Sequence, residues 1–295
     1  MSTSVQPAPP RAAGPEPAQR RRLVGRPGGW LVWGVVIFFF LNLAGLVGAV
    51  LVNSFAVRWF GTWWPDGLTT SWYAVALRDF DLLNVLIVTL EVSGAVVLIS
   101  ALLGVPAAYV LARRQFPGKR LVLLAFLLPI LVPPIAYGIP LATVLYKYQL
   151  AGSLVGVIVA NLVPSIPFVV LTMTPFIEQI DPKIESAARM CGARTSTIFG
   201  RILLPLLIPG ILASAVLVLV RTVGMFELTF LTSGPESQTL VVALYNSMFA
   251  AGIRAQQSVD AMAVIYTGTM LILLVIALRF VNPTQLVARV NDRND

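Results

Sequence analysis

Six apolar stretches divide this chain, at residues 30–52, 82–111, 121–146, 153–173, 206–230 and 258–281. Each is long enough to cross roughly 30 Å of hydrocarbon as a helix rising about 1.5 Å per residue. Backbone amides have no water partners inside a bilayer, so a spanning segment must bond internally or close into a barrel. Runs of this length and uniform apolarity are helical rather than alternating. The expected fold class is therefore an all-α integral membrane protein with about six transmembrane helices. Length alone, at 295 residues, would suggest two soluble domains, but 57% hydrophobic content and a mean hydropathy of +0.84 exclude that reading. Only 12% of residues are charged, about half the usual share.

Charge orients the spans. With six crossings, both ends of the chain face the same side. That side holds five basic residues before the first span (Arg11, Arg20, Arg21, Arg22, Arg26) and four after the second (Arg113, Arg114, Lys119, Arg120). It gains four more between spans four and five (Lys183, Arg189, Arg194, Arg201) and three at the end (Arg279, Arg289, Arg293). Sixteen of the 21 Lys and Arg residues thus lie on one side, against Arg58, Arg78, Lys147 and Arg254 on the other, with Arg221 inside a span. Basic loops stay in the cytoplasm, so both termini are expected there. This asymmetry accounts for the net charge of +8 without invoking nucleic acid.

Residues 1–29, rich in Pro, Ala, Gly and Arg, are expected to form a disordered cytoplasmic tail. They lack the long apolar core of a cleaved signal, and the first span is longer than such a core. A membrane domain is expected over 30–281, with a second cytoplasmic tail at 282–295. Between spans one and two lie Trp59, Phe60, Trp63, Trp64, Trp72 and Tyr73, which suit an interfacial aromatic belt; a protein-contact surface is the alternative. The second span is expected to tilt or bend near Gly104, Val105 and Pro106. Pro129, Pro133, Pro134 and Pro140 predict a distorted third span. Residues 232–257 are expected to re-enter or skim the membrane.

The longest polar interval after Arg120 is 181–205, DPKIESAARMCGARTSTIFGRILLP. Asp181 and Pro182 are an N-cap followed by a first-turn proline. Ile184, Ala187, Ala188 and Cys191 form an apolar stripe at i, i+3, i+4 and i+7, with Lys183, Glu185, Ser186 and Arg189 off it. Gly192 suits a C-cap at positive φ. Thr195 or Ser196 is expected to cap a second helix that Pro205 breaks. An amphipathic helix lying on the membrane is the unspecific reading.

This stretch resembles the EAA loop of ABC-importer permeases, whose pattern is Glu-Ala-Ala, three residues, Gly, nine residues, Ile-x-Leu-Pro. Ser186, Ala187, Ala188, Gly192, Ile202, Leu204 and Pro205 fill those positions in register. The family's Glu position holds Ser186, and the acid sits one place earlier, at Glu185; many members carry an acid at both. GVPAAYVLARR is similar to the family's exit from the second span. An acid and a Gly-Pro turn after the fifth span (Glu227, Gly234, Pro235) look most like polyamine, ferric-iron and related small-solute permeases. The resemblance implies the type I fold with a cytoplasmic coupling helix, in a bacterial inner membrane. It implies an ATPase contact through Glu185, Ser186, Ala187, Ala188, Arg189, Gly192, Ile202, Leu204 and Pro205. It also implies ABC ATPase subunits, a second permease subunit, identical or not, an extracytoplasmic solute-binding protein and lipid as partners.

The chain has no G-x-x-x-x-G-K-[ST] stretch, so any ATP is expected on the partner ATPase and no cofactor in this chain. With no histidine and the single cysteine Cys191, no catalytic or metal site is expected, which weighs against an intramembrane enzyme. An ion-gradient-driven secondary transporter remains the other alternative, although no internal repeat is evident. Glu91, Arg221 and Glu227 are charges at membrane depth, where a wet path or a local partner is the usual reason for them. With Tyr137 they are the candidate solute-path residues; Asn161 and Thr222 are weaker candidates, more often helix-packing groups. Two acids favour a polyamine-like cation and Arg221 favours an anion; the expected solute is a small polar one of the polyamine-like kind. Single cysteines at Ser2 and Asn294, with Cys191 replaced, are expected to resist an impermeant thiol reagent in intact cells. Labelling of either from outside would overturn the six-span layout.

Overall fold

The structure, a computed structural model, describes residues 29–249 and 255–280. The expected tails, apart from Gly29, and part of the 232–257 connection lie outside the described residues. Helix α1 (Gly29–Phe55) is strongly apolar up to Val52 apart from Asn42, and its large side chains from Trp30 to Leu51 are exposed. The chain divides within α1, after Gly48, into two units.

In the second unit the end of α1 leads to a loop and α2 (Ser71–Asp79). The Asn53 amide donates to Asp260, the hydroxyls of Ser54 and Tyr73 lie 2.8 Å apart, and the Trp72 indole donates to the Ala56 carbonyl at 2.8 Å. The aromatic segment therefore splits. Trp72 and Tyr73 fasten the loop, whereas Phe60, Trp63 and Trp64 are exposed.

The core lies between α3 (Leu82–Arg113), α6 (Leu154–Glu178) and α9 (Leu204–Val223). Val92, Val96, Val105 and Ala108 of α3 pack with Val169, Val170, Met173 and Ile177 of α6 and with Leu207 and Val218 of α9. Gly104 permits this approach: a Cβ there would lie 2.7 Å from Val169 Cγ1. Small residues at such crossings let helices pack closely where lipid supplies no hydrophobic drive. The buried Asn161 donates to Thr229 Oγ1 at 3.2 Å and to the Val157 carbonyl at 2.9 Å, a packing role rather than a solute contact.

Three expectations change. The third span is two helices, α4 (Lys119–Leu131) and α5 (Pro134–Lys147), bent by 98° at the break. Val132 and Pro133 are extended there, with ψ of 132° and 134°, because each precedes a proline and is driven out of the helical region. The fifth span stops at Val223, since the chain leaves the helix at Gly224 and restarts as α10 (Glu227–Thr232). Arg221 and Glu227 therefore sit on different helices. Finally, Pro205 does not break a helix. The chain runs through α8 (Thr195–Thr197), a π-helical turn (Ile198–Leu203) and into α9 without leaving helical geometry. A proline lacks the N–H for an i−4 bond and its ring crowds that carbonyl; the wider π turn just before Pro205 relieves both constraints.

Among the described residues five helices are long and apolar enough to span a membrane, and six if the bent α4/α5 pair counts as one span. The connection 232–257 contains α11 (Leu240–Phe249), whose Leu240 amide donates to Thr89 Oγ1 of α3 at 2.9 Å. The last described helix is α12 (Gln256–Phe280). Gly104→Leu should lower the thermal unfolding midpoint in detergent, with a cost of about 1–3 kcal/mol for overpacking. Val169→Ala in the same chain should recover part of the loss; a Gly104→Leu protein as stable as the parent would refute the close crossing.

Candidate functional site

Helix α7 (Pro182–Met190) stands between α6 and α8 and is closed at both ends. Asp181 Oδ1 accepts from the Lys183 amide at 2.9 Å, and Pro182 occupies the first turn, where its missing N–H is no loss. At the other end the Ala193 amide donates to the Ala188 carbonyl at 3.1 Å and the Gly192 amide to the Arg189 carbonyl at 2.9 Å. Those two bonds are the Schellman pair, and they require Gly192 at φ +80°. No atom stands within 4 Å of a Cβ built on Gly192, so the demand for glycine is conformational and not steric.

The helix turns Glu185 inward and leaves most of its apolar stripe outward, unlike the unspecific amphipathic reading. Ile184, Ala187 and Cys191 of the apolar stripe are exposed and Ala188 is partly buried, while Glu185 is the one buried residue of the helix. Ser186 and Met190 are exposed as well, Met190 at 85%. The reason is a cation on the neighbouring helix. Arg113 Nε donates to Glu185 Oε1 at 2.7 Å and Arg113 Nη2 to the Ile180 carbonyl at 2.7 Å. The Tyr109 hydroxyl donates to Glu185 Oε2 at 2.8 Å. Arg189 stands 3.8 Å from the same oxygen and is half exposed. A buried carboxylate is costly unless paired and hydrogen-bonded, and here both oxygens have donors.

Beyond Gly192, Phe199 meets the Tyr109 ring edge-on with centroids 5.4 Å apart. Ile202 is partly buried, Leu203 fully buried, and Leu204 and Pro205 exposed. Sequence reasoning passed over Tyr109 and Arg113. The available signal was their spacing: four apart in the last turns of a largely apolar helix, they share one face.

The solute-path candidates separate. Tyr137 of α5, Arg221 of α9 and Glu227 of α10 are each partly buried, and Tyr137 packs against the cluster of Leu145, Ala160, Met225 and Leu228, whose last two members flank Glu227 in sequence. That hydroxyl and Thr222 Oγ1 are buried without a hydrogen-bond partner among the described residues. The Arg221 guanidinium lies over the Phe168 ring, 5.6 Å from its centroid. Glu91 instead stands exposed on α3. Among the described residues no group of His, Cys, Asp or Glu could hold a metal ion.

Residues 100–286 match the family described as the binding-protein-dependent transport system inner membrane component. The chain belongs to that family. It is similar to the spermidine/putrescine transport system permease protein PotC of Escherichia coli K12, 30% identical over 81% of this chain and 87% of PotC. It is also similar to the molybdenum transport system permease protein ModB of Haemophilus influenzae, 33% identical over 57% of this chain and 80% of ModB. A probable sulfate transport system permease protein, cysT of Chlorokybus atmophyticus, is 37% identical over 48% of this chain and 53% of its own length. Among solved structures, a bacterial ABC transporter importing alginate shares the fold with a TM-score of 0.69 at 17% identity, covering 86% of this chain and 96% of that one. The MetNI methionine ABC transporter shares it with a TM-score of 0.53 at 18% identity, covering 69% and 95%. This chain is thus a multi-pass inner-membrane permease subunit of an ABC importer, a transport component by family.

Proposed function

We propose that this permease forms half of a solute path and takes its drive from a separate ATPase through α7. Its partners in that reading are two ABC ATPases, a second permease and an extracytoplasmic solute-binding protein, with both termini in the cytoplasm. The observation that carries it is the outward face of α7. A short helix, capped at both ends and anchored from behind by Glu185, presents Ile184, Ser186, Ala187 and Met190 away from the bundle. Small and apolar exposed side chains on a rigid helix suit insertion into a groove of a partner. ATP-driven approach of the two ATPases would then shift α7 in each permease and exchange inward-open for outward-open access. No bond chemistry falls to this chain.

The solute enters the reading through Tyr137, Arg221 and Glu227. A polyamine-like cation is supported by Glu227 and by the extent of the match to a spermidine/putrescine permease. A small oxyanion is supported by Arg221, by the two unpartnered hydroxyls of Tyr137 and Thr222, and by the molybdenum and sulfate relatives. Uptake of spermidine, putrescine, sulfate and molybdate by the reconstituted complex separates the two. Glu227→Gln should depress uptake of a cation, and Arg221→Gln uptake of an anion, without loss of insertion. Normal uptake in both variants would remove the cluster from the path. The coupling half is tested by Gly192→Val, a β-branched residue where φ is +80°. ATP hydrolysis and uptake in proteoliposomes should fall together while the complex still co-purifies. An assembled Gly192→Val complex working at the parent rate would refute transmission through α7.

A further inference from the structure

Tyr109 and Arg113 lie on the last two turns of α3, four residues apart on one face, and between them they hold the 181–205 loop at three points. Arg113 reaches the carbonyl of Ile180 at the loop's entry, at 2.7 Å. Arg113 and Tyr109 together hold both oxygens of Glu185 in its middle, at 2.7 and 2.8 Å. The Tyr109 ring meets Phe199 on its exit, 5.4 Å between centroids. The side chains of Arg113 and Glu185 are 11% and 6% exposed, so water competes little for these bonds. Arg is suited to such a double contact, since its planar fork places two donors at fixed angles. Lysine, a point charge on a flexible stem, would not hold a carboxylate and a carbonyl in one geometry.

We infer that Glu185 is a positioning residue that fastens α7 to the cytoplasmic end of α3 through Arg113 and Tyr109, so that displacement of α7 enters the membrane bundle as displacement of α3. This rests on the coupling reading above and adds where the motion goes. Its consequence is a division of labour between neighbours: Ser186 faces outward to a partner, and Glu185 faces inward to the permease itself. The route continues without a gap, because α3 is packed against α6 along most of its length through Val92, Val96, Val105 and Ala108. Carbonyl and carboxylate tether α7 on both sides of its N-terminal turn, so it cannot pivot on α3 without breaking a buried charge pair.

The single cysteine, Cys191, is exposed, and Val110 of α3 is exposed at 46%. Spin labels at Cys191 and at Val110→Cys report the α7–α3 distance directly by double electron–electron resonance. In the permease alone, in nanodiscs, the distribution should be single and narrow. Glu185→Gln and Tyr109→Phe should each broaden or shift it. Glu185→Arg should do so more, and combining it with Arg113→Glu should return the narrow peak. A merely space-filling role would give no such rescue by reversed charges. In the full complex with the ATPase, ATP with vanadate should leave the parent distance unchanged while α3 moves with α7. An unchanged distribution in Glu185→Gln and Tyr109→Phe would overturn the tether. So would a parent distance that shifts when ATP and vanadate are added. Failure of the permease to co-purify with an ATPase would instead count against the coupling reading, because the resting distance in the permease alone is measured without one.

Discussion

A carboxylate kept out of water sets the geometry of the 181–205 segment. Glu185 is buried against α3 because Arg113 and Tyr109 donate to both of its oxygens, and without them its desolvation would be costly. That one requirement decides which way α7 faces. With Glu185 inward, the apolar stripe of α7 is turned out, and Gly192 must close the helix at positive φ for the chain to return to Phe199 and the core. The exposed face proposed to meet an ATPase is therefore a by-product of where a charge had to be buried.

Membrane depth imposes the complementary constraint. The spans are held by close contact and by hydrogen bonds, not by exclusion of apolar surface from water. Gly104 against Val169 and Asn161 against Thr229 are the local forms of this rule. Prolines in the spans act by position. Pro106, Pro164, Pro167 and Pro175 lie within continuous helices, whereas the adjacent Pro133 and Pro134 turn the chain through a right-angle break. One proline can be absorbed where neighbours cover the freed carbonyl. Two in succession force the residues before them out of the helix.

Most of the fold was legible in the sequence, for a simple reason: long apolar runs admit few structures in a bilayer. The number of crossings, the caps of α7 and the positive φ of Gly192 all followed from local chemistry. What escaped was long-range. The stripe of Ile184, Ala187, Ala188 and Cys191 did not tell that Glu185 would be the buried residue of the helix, because periodicity does not reveal an arginine waiting on another helix. Pro205 read as a stop, because a π turn has no clear sequence mark. Glu91 and Glu227 looked equivalent as acids at membrane depth. Only the packing separates an exposed position on α3 from a partly buried one on α10.

The central claim is that α7 passes partner motion to the bundle, its outer face touching the ATPase and its inner face touching α3. A photo-crosslinking amino acid placed singly at Ser186, Met190 and, as a control, Val110 tests it in the assembled complex. The account predicts adducts with the ATPase from Ser186 and Met190 and none from Val110. An assembled complex giving no ATPase adduct from either α7 position would contradict it.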